Sequence, residues 1–149
     1  MQLNYKIFSC IFVFMSQAGE TFFTSIGCMD GRVHAPIAKY GQDKFGAQYP
    51  DTITEAGKVG ILAHNPSPEF LAGLKAKLDI SLNMHHSKGI LVHGHQECAG
   101  NPVDDETHTD DVKESVRIIK EIVGDRAPVL GVFVKRSEIE PTNWEVEEL

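Results

Sequence analysis

Basic residues are in short supply. Lysine and arginine total 14 against 21 aspartates and glutamates, a formal net charge of −7 with histidines neutral. Lys88 stands alone and Lys135-Arg136 is only a pair. Nothing here can follow a phosphate backbone or an anionic lipid surface, so nucleic acid and membranes are not the expected partners. Internal repeats and low-complexity segments are also missing, which removes solenoids and disordered arrays. Cysteine is scarce and odd in number, at three, so no complete disulfide framework can form. Long hydrophobic runs are lacking too. The nine residues Ile7 to Met15 are too few to span a bilayer as a helix.

What is present fits an ordinary folded domain. The 149 residues are 42% hydrophobic and 23% charged, enough to bury one real core. Residues 1–18 form an N-terminal apolar segment with three readings. It has the length of a signal-peptide core, preceded by Lys6 and followed by Ser16-Gln17-Ala18; it could lie upstream of a true start at Met15; or it is an added strand or helical arm. Residues 19–149 are expected to form the single functional domain. Cys10 sits in the apolar segment and reads as an inert thiol. Cys28 and Cys98 lie beside Asp, His and Gly, which suits metal ligation or reactivity in a reducing compartment. A cytoplasmic location is therefore expected over export.

The pattern along the chain alternates. Thr21 to Ile26 reads as a buried strand, and Ala35 to Phe45 as a short helix with Pro36 in its first turn. Asp51 to Thr54 reads as a second strand, closed by Ala56-Gly57. Ser67-Pro68-Glu69 is a helix start, and Phe70, Leu71, Leu74, Leu78 and Leu82 give that helix an apolar face. Gly89 stops it, and Ile90 to Val92 reads as a central strand. Thr109 is the expected cap of a further helix, with Asp110 and Asp111 in its first turn and a stripe of Val112, Val116, Ile119 and Val123. Val129 to Val134 reads as a fourth strand, and Glu138 to Leu149 as an acidic, irregular tail with Trp144 and Val146 docking on the body. The expectation is an α/β fold: three layers, a mostly parallel four-stranded sheet, and helices on both faces. Ligands of such sheets bind beyond the carboxyl ends of the strands. Cys28 and the His95/Cys98 pair both fall there.

His95-x-x-Cys98 sets two soft ligands about one turn apart, and Cys28 supplies a third. Two thiolates and one imidazole suit a single zinc ion, with a fourth position open to water, as in catalytic sites. Zinc lowers the pKa of bound water towards about 7. Asp30 and Arg32 stand beside Cys28. An ionised Asp30 can orient that water, and Arg32 can hold Asp30 through a bidentate pair. Among the remaining histidines, His93 reads as a packed or interface residue, and His85 and His86 as residues of a helix C-terminus. His34, His64 and His108 read as loop residues, with His34 a weak proton-shuttle candidate.

Cys28-Met29-Asp30-Gly31-Arg32 resembles the C-x-D-x-R motif of the beta-class carbonic anhydrases, and Gly94-His95-Gln96-Glu97-Cys98 resembles their G-H-x-x-C motif. Ala56-Gly57 stands where that family has an Asn-Ala-Gly segment beside the active site, and Leu130-Gly131-Val132 fits the strand after its last helix. The resemblance spans roughly residues 21 to 134 and marks a short, divergent subgroup. Gly31 replaces a usual Ser, Glu55 a usual Asn and Ala99 a usual Gly, and the family's long N-terminal arm is missing. The resemblance implies reversible hydration of carbon dioxide to bicarbonate by zinc-bound hydroxide. Cys28, His95 and Cys98 would be the zinc ligands and Asp30 and Arg32 the catalytic pair. Asp30 is a candidate fourth ligand in a closed form, and Ala56 and Gly57 would border the substrate pocket. A homodimer or higher homo-oligomer is implied as well. Two other readings of the same site are hydrolysis of carbonyl sulfide or carbon disulfide, and a zinc-binding protein without turnover.

Overall fold

A computed structural model describes residues 19–149. The apolar segment 1–18, with Cys10, lies outside the described residues. Runs of β-branched and aromatic residues form the strands β1 (Phe22–Gly27), β2 (Tyr49–Thr54), β3 (Ile90–His95) and β4 (Val129–Arg136). Between them run the helices α1 (Gly31–Phe45), α2 (Lys58–Ala63), α3 (Pro68–Asp79) and α4 (Asp105–Val123). A last strand, β5 (Trp144–Glu148), closes the chain. The sheet order is β2-β1-β3-β4-β5, parallel except for β5, which runs antiparallel to β4.

Two cores sandwich this sheet. On one face Ile26, Ile53, Ile90 and Val92 pack against Val59 and Leu62 of α2, Leu74 and Leu78 of α3, and Val112, Ile119 and Val123 of α4. On the other, Phe23, Leu91, Val132 and Val134 pack against Val33 and Ile37 of α1. Trp144 and Val146 of β5 border that second core. The expected α/β architecture with helices on both faces is what forms.

Several boundaries differ from the sequence reading. Among the described residues the sheet has five strands rather than four, because the acidic tail pairs through Val134↔Val146 and its neighbours. α1 starts at Gly31, four residues early, because Asp30 caps it by accepting from the Arg32 amide at 3.0 Å. Pro36 is consequently inside the helix rather than in its first turn. α4 is capped by Asp104, which accepts from the Thr107 amide at 2.8 Å. Thr109 sits within that helix, its hydroxyl donating to the Asp105 carbonyl. The Ser67 cap holds, accepting from Phe70 N at 3.1 Å. α3 runs on into one widened π-type turn, Ile80–Met84, where Ser81 donates to Asp51 at 2.6 Å. The short helix α2 went unread in the sequence. His34 lies in α1 and His108 is buried in α4, so neither is a loop residue.

Candidate metal centre

β1 and β3 are parallel neighbours, paired through Ile26↔Val92 and Gly27↔His93. Cys28 follows the last residue of β1, and His95 is the last residue of β3. Parallel pairing therefore carries both side chains to the same edge of the sheet. The turn after β3 then returns Cys98 to them. The ligand atoms of Cys28, His95 and Cys98 all lie within 4.8 Å of one another, and the three residues could hold one metal ion. All are buried.

The donor chemistry fits a soft-to-borderline cation. His95 Nδ1 lies 2.7 Å from the Gln96 carbonyl. In the neutral ring the N–H there donates, and Nε2 then presents its lone pair. That Nε2 is buried and has no hydrogen-bond partner among the described residues. A buried, orphaned acceptor is costly unless something binds it. The two sulfurs are 3.7 Å apart, far beyond a disulfide bond of about 2.05 Å. Burial pushes the Cys28 thiol up, but His95 and the backbone amides around Gly57 and Asp30 outweigh it and bring the thiol to about 6. Burial, and then the charge on Cys28, push Cys98 up. Burial opposes charge on His95, yet the neighbouring Cys28 raises its pKa overall. One thiolate is thus already favoured, and a cation would complete the set.

Asp30 and Arg32 meet as the spacing suggests. Arg32 Nε donates to Asp30 Oδ1 at 3.0 Å and Nη2 to Oδ2 at 2.8 Å. This contact holds the Asp30 carboxyl down at about 2, against a smaller upward push from burial. Arg32 reaches further than the sequence shows. Its Nη1 donates to Glu97 Oε2 at 2.9 Å, and Arg136 grips the same carboxylate through Nε and Nη2 at 2.8 and 2.9 Å. Both guanidiniums lie over the Trp144 ring, at 4.9 and 4.6 Å. Glu97 has φ +58°, a left-handed conformation that a non-glycine residue seldom adopts.

Gly57 is buried against the Cys98 turn, and Ala56 is exposed. With φ +60°, a Cβ on Gly57 would lie 2.2 Å from the Gly100 carbonyl oxygen. Only glycine permits this approach of two backbones beside Cys28. Glu55 lies at the site's border, but its carboxylate is half exposed and faces the buried Lys58 ammonium at 3.5 Å. Behind the turn, Asn101 donates to the buried Asp111 carboxylate at 2.8 Å, and His64 meets the other oxygen at 2.7 Å. His93 is completely buried, with neither ring nitrogen bonded among the described residues. Burial holds it neutral, down to about 3, in keeping with a packed histidine.

Glu97, Arg136, Trp144, Asn101 and Asp111 were not legible as site neighbours. Glu97 and Asn101 carried one signal, since each lies within three residues of a ligand in sequence. Among the described residues, no helix is long and apolar enough to cross a membrane. A sequence model of the family described as "Putative carbonic anhydrase" matches residues 18–149. No curated protein matches the chain.

Proposed function

The chain belongs to this carbonic anhydrase family, matched over nearly its whole length, and from that premise we propose that it catalyses the reversible hydration of carbon dioxide to bicarbonate. The observation that carries the reading is the convergence of Cys28, His95 and Cys98 beside a bidentate Asp30–Arg32 pair. Cys28, His95 and Cys98 would hold zinc, which supplies a Lewis acid able to acidify water near neutral pH.

The protein's own groups do the rest. Asp30, with its carboxyl held at about 2, is ionised throughout the neutral range. Arg32 occupies most of its acceptor capacity, but a carboxylate offers about four lone-pair positions. The remaining one accepts a hydrogen bond from the attacking water and aims that water's lone pair at the carbon. Arg32 keeps Asp30 on this task and prevents it from turning inward as a ligand itself. Gly57 and Ala56 border the place where the substrate waits. Lys58 partly offsets the Glu55 charge that would otherwise repel departing bicarbonate. The proposal includes a cytoplasmic homodimer, for which the exposed apolar side chains Tyr49, Ile80 and Met84 offer material.

The test is zinc content and stopped-flow carbon dioxide hydration on one sample. One zinc per chain, lost in Cys98→Ser, is expected. Arg32→Ala and Asp30→Asn should keep zinc and slow hydration. Hydrolysis of carbonyl sulfide without hydration of carbon dioxide would reassign the substrate. Bound zinc with neither activity would establish a non-enzymatic metal protein. Light scattering showing a monomer at every concentration would remove the dimer.

A further inference from the structure

We propose that Glu97, Arg136 and Trp144 are positioning residues that hold Arg32 in its grip on Asp30, so that β5 is a working part of the site. The inference rests on the proposed hydration reading and adds residues that the two motifs do not specify.

A partly exposed Asp–Arg pair two residues apart is weak alone. Solvent screens it, and ordering a long arginine costs entropy. Arg32 is 39% exposed at its side chain, so Asp30 by itself should hold it loosely. The structure shows why it is not loose. Nε and Nη2 go to Asp30, Nη1 goes to the Glu97 carboxylate, and Nη2 also reaches the Glu97 carbonyl at 3.3 Å. Glu97 is itself fixed, because Arg136 binds it through two nitrogens. Arg136 is anchored in turn by donating to the Pro141 carbonyl at 2.7 Å, while its backbone amide donates to the Gln96 side chain. The Trp144 face then supports both guanidiniums, an arrangement favoured by the ring's negative face.

The parts come from four places. Arg32 lies in the first turn of α1, Glu97 lies between two metal-ligand candidates, Arg136 ends β4 and Trp144 begins β5. Two guanidiniums and two carboxylates leave the cluster electrically balanced. The left-handed backbone at Glu97 is a local cost that persists where surrounding contacts fix it. A plain surface staple would not need to pass through a residue between His95 and Cys98.

The experiment uses the full, zinc-loaded chain and reads the Arg32 Nε–Hε signal by nitrogen–proton NMR, with its exchange against water. In the wild type that proton should be protected by Asp30. Trp144→Ala and Arg136→Ala should each speed its exchange about tenfold and lower kcat by a similar factor, with zinc content unchanged. Trp144→Phe should restore most of the protection, because an aromatic face returns. Glu97→Gln, nearly isosteric, serves if the larger changes disturb folding, and it too should speed the exchange. In an Arg32→Ala background, adding Arg136→Ala should cost no further activity. Unchanged exchange in Arg136→Ala, Trp144→Ala and Glu97→Gln would overturn the proposal and leave β5 as an edge strand only. If exchange responds as expected but the wild type hydrates no carbon dioxide, the clamp stands and the hydration reading falls.

Discussion

The two faces of the sheet reach burial by different means. Under α2, α3 and α4, aliphatic side chains from three helices mesh with Ile26, Ile53, Ile90 and Val92. On the α1 face, among the described residues, a single helix covers Phe23, Leu91, Val132 and Val134, and the border is finished by Tyr40, Phe45 and Trp144. The first face relies on repeated stripes and many aliphatic contacts. The second relies on close approach, on aromatic groups and on charges brought from far along the chain. The site residues Asp30 and Arg32 belong to the second construction, since both lie at the start of α1. Disturbing that face should therefore reach the site more readily than disturbing the first.

The largest expected effect is on the three-helix face. Leu78 is fully buried there, and Leu78→Ala should cost about 2–5 kcal/mol through lost transfer energy and a cavity. Urea unfolding measures this, and the native Trp144 emission should stay put. A cost below 1 kcal/mol would mean that this face is loosely packed.

Gly41→Ala probes the opposite face. A Cβ there would lie 2.2 Å from the ring of Phe23, which is fully buried. The helix must move off the sheet, for about 1–3 kcal/mol. Because α1 also touches β5, Trp144 fluorescence should shift in the native state. An unshifted emission would break the proposed contrast between the faces.

Asp111→Ala tests the support behind the Cys98 turn. It strands the Asn101 amide, and leaving a buried polar group unpaired costs about 1–3 kcal/mol. Amide exchange in residues 98–101 should quicken, while the α1 amides keep their rates. Equal quickening in both places would show that the two regions open together.

The smallest effect is a matter of pH. Burial, then the hydrogen bond to Glu148, push Tyr40 up to about 12. Its folded pKa thus exceeds the ordinary value near 10. The associated stability is fully present below about pH 10 and is lost as pH rises through 12. Ultraviolet titration of the phenol should show one tyrosine titrating late, and Tyr40→Phe should remove that phase. Absence of that late phase would mean that β5 is not held on α1 through this contact.

The sequence alone determined the features that depend on near neighbours. The apolar stripes of α3 and α4 and the Ser67 cap are decided within a few residues, because helix geometry repeats every 3.6. The two ligand motifs are also local, and the alternation of elements was enough to send both to strand ends. Tertiary structure decided the rest. Glu138 to Leu149 looks like a charged tail until β4 is beside it, when Trp144 and Val146 become one face of a strand. Asp104 overrides Thr109 as a cap because its carboxylate finds a free amide three residues on. Arg32 meets Glu97 across 65 residues of sequence and Arg136 meets it across 39. No local pattern encodes such pairings, since charge attraction and ring stacking act through space, and only the assembled sheet brings these side chains within reach.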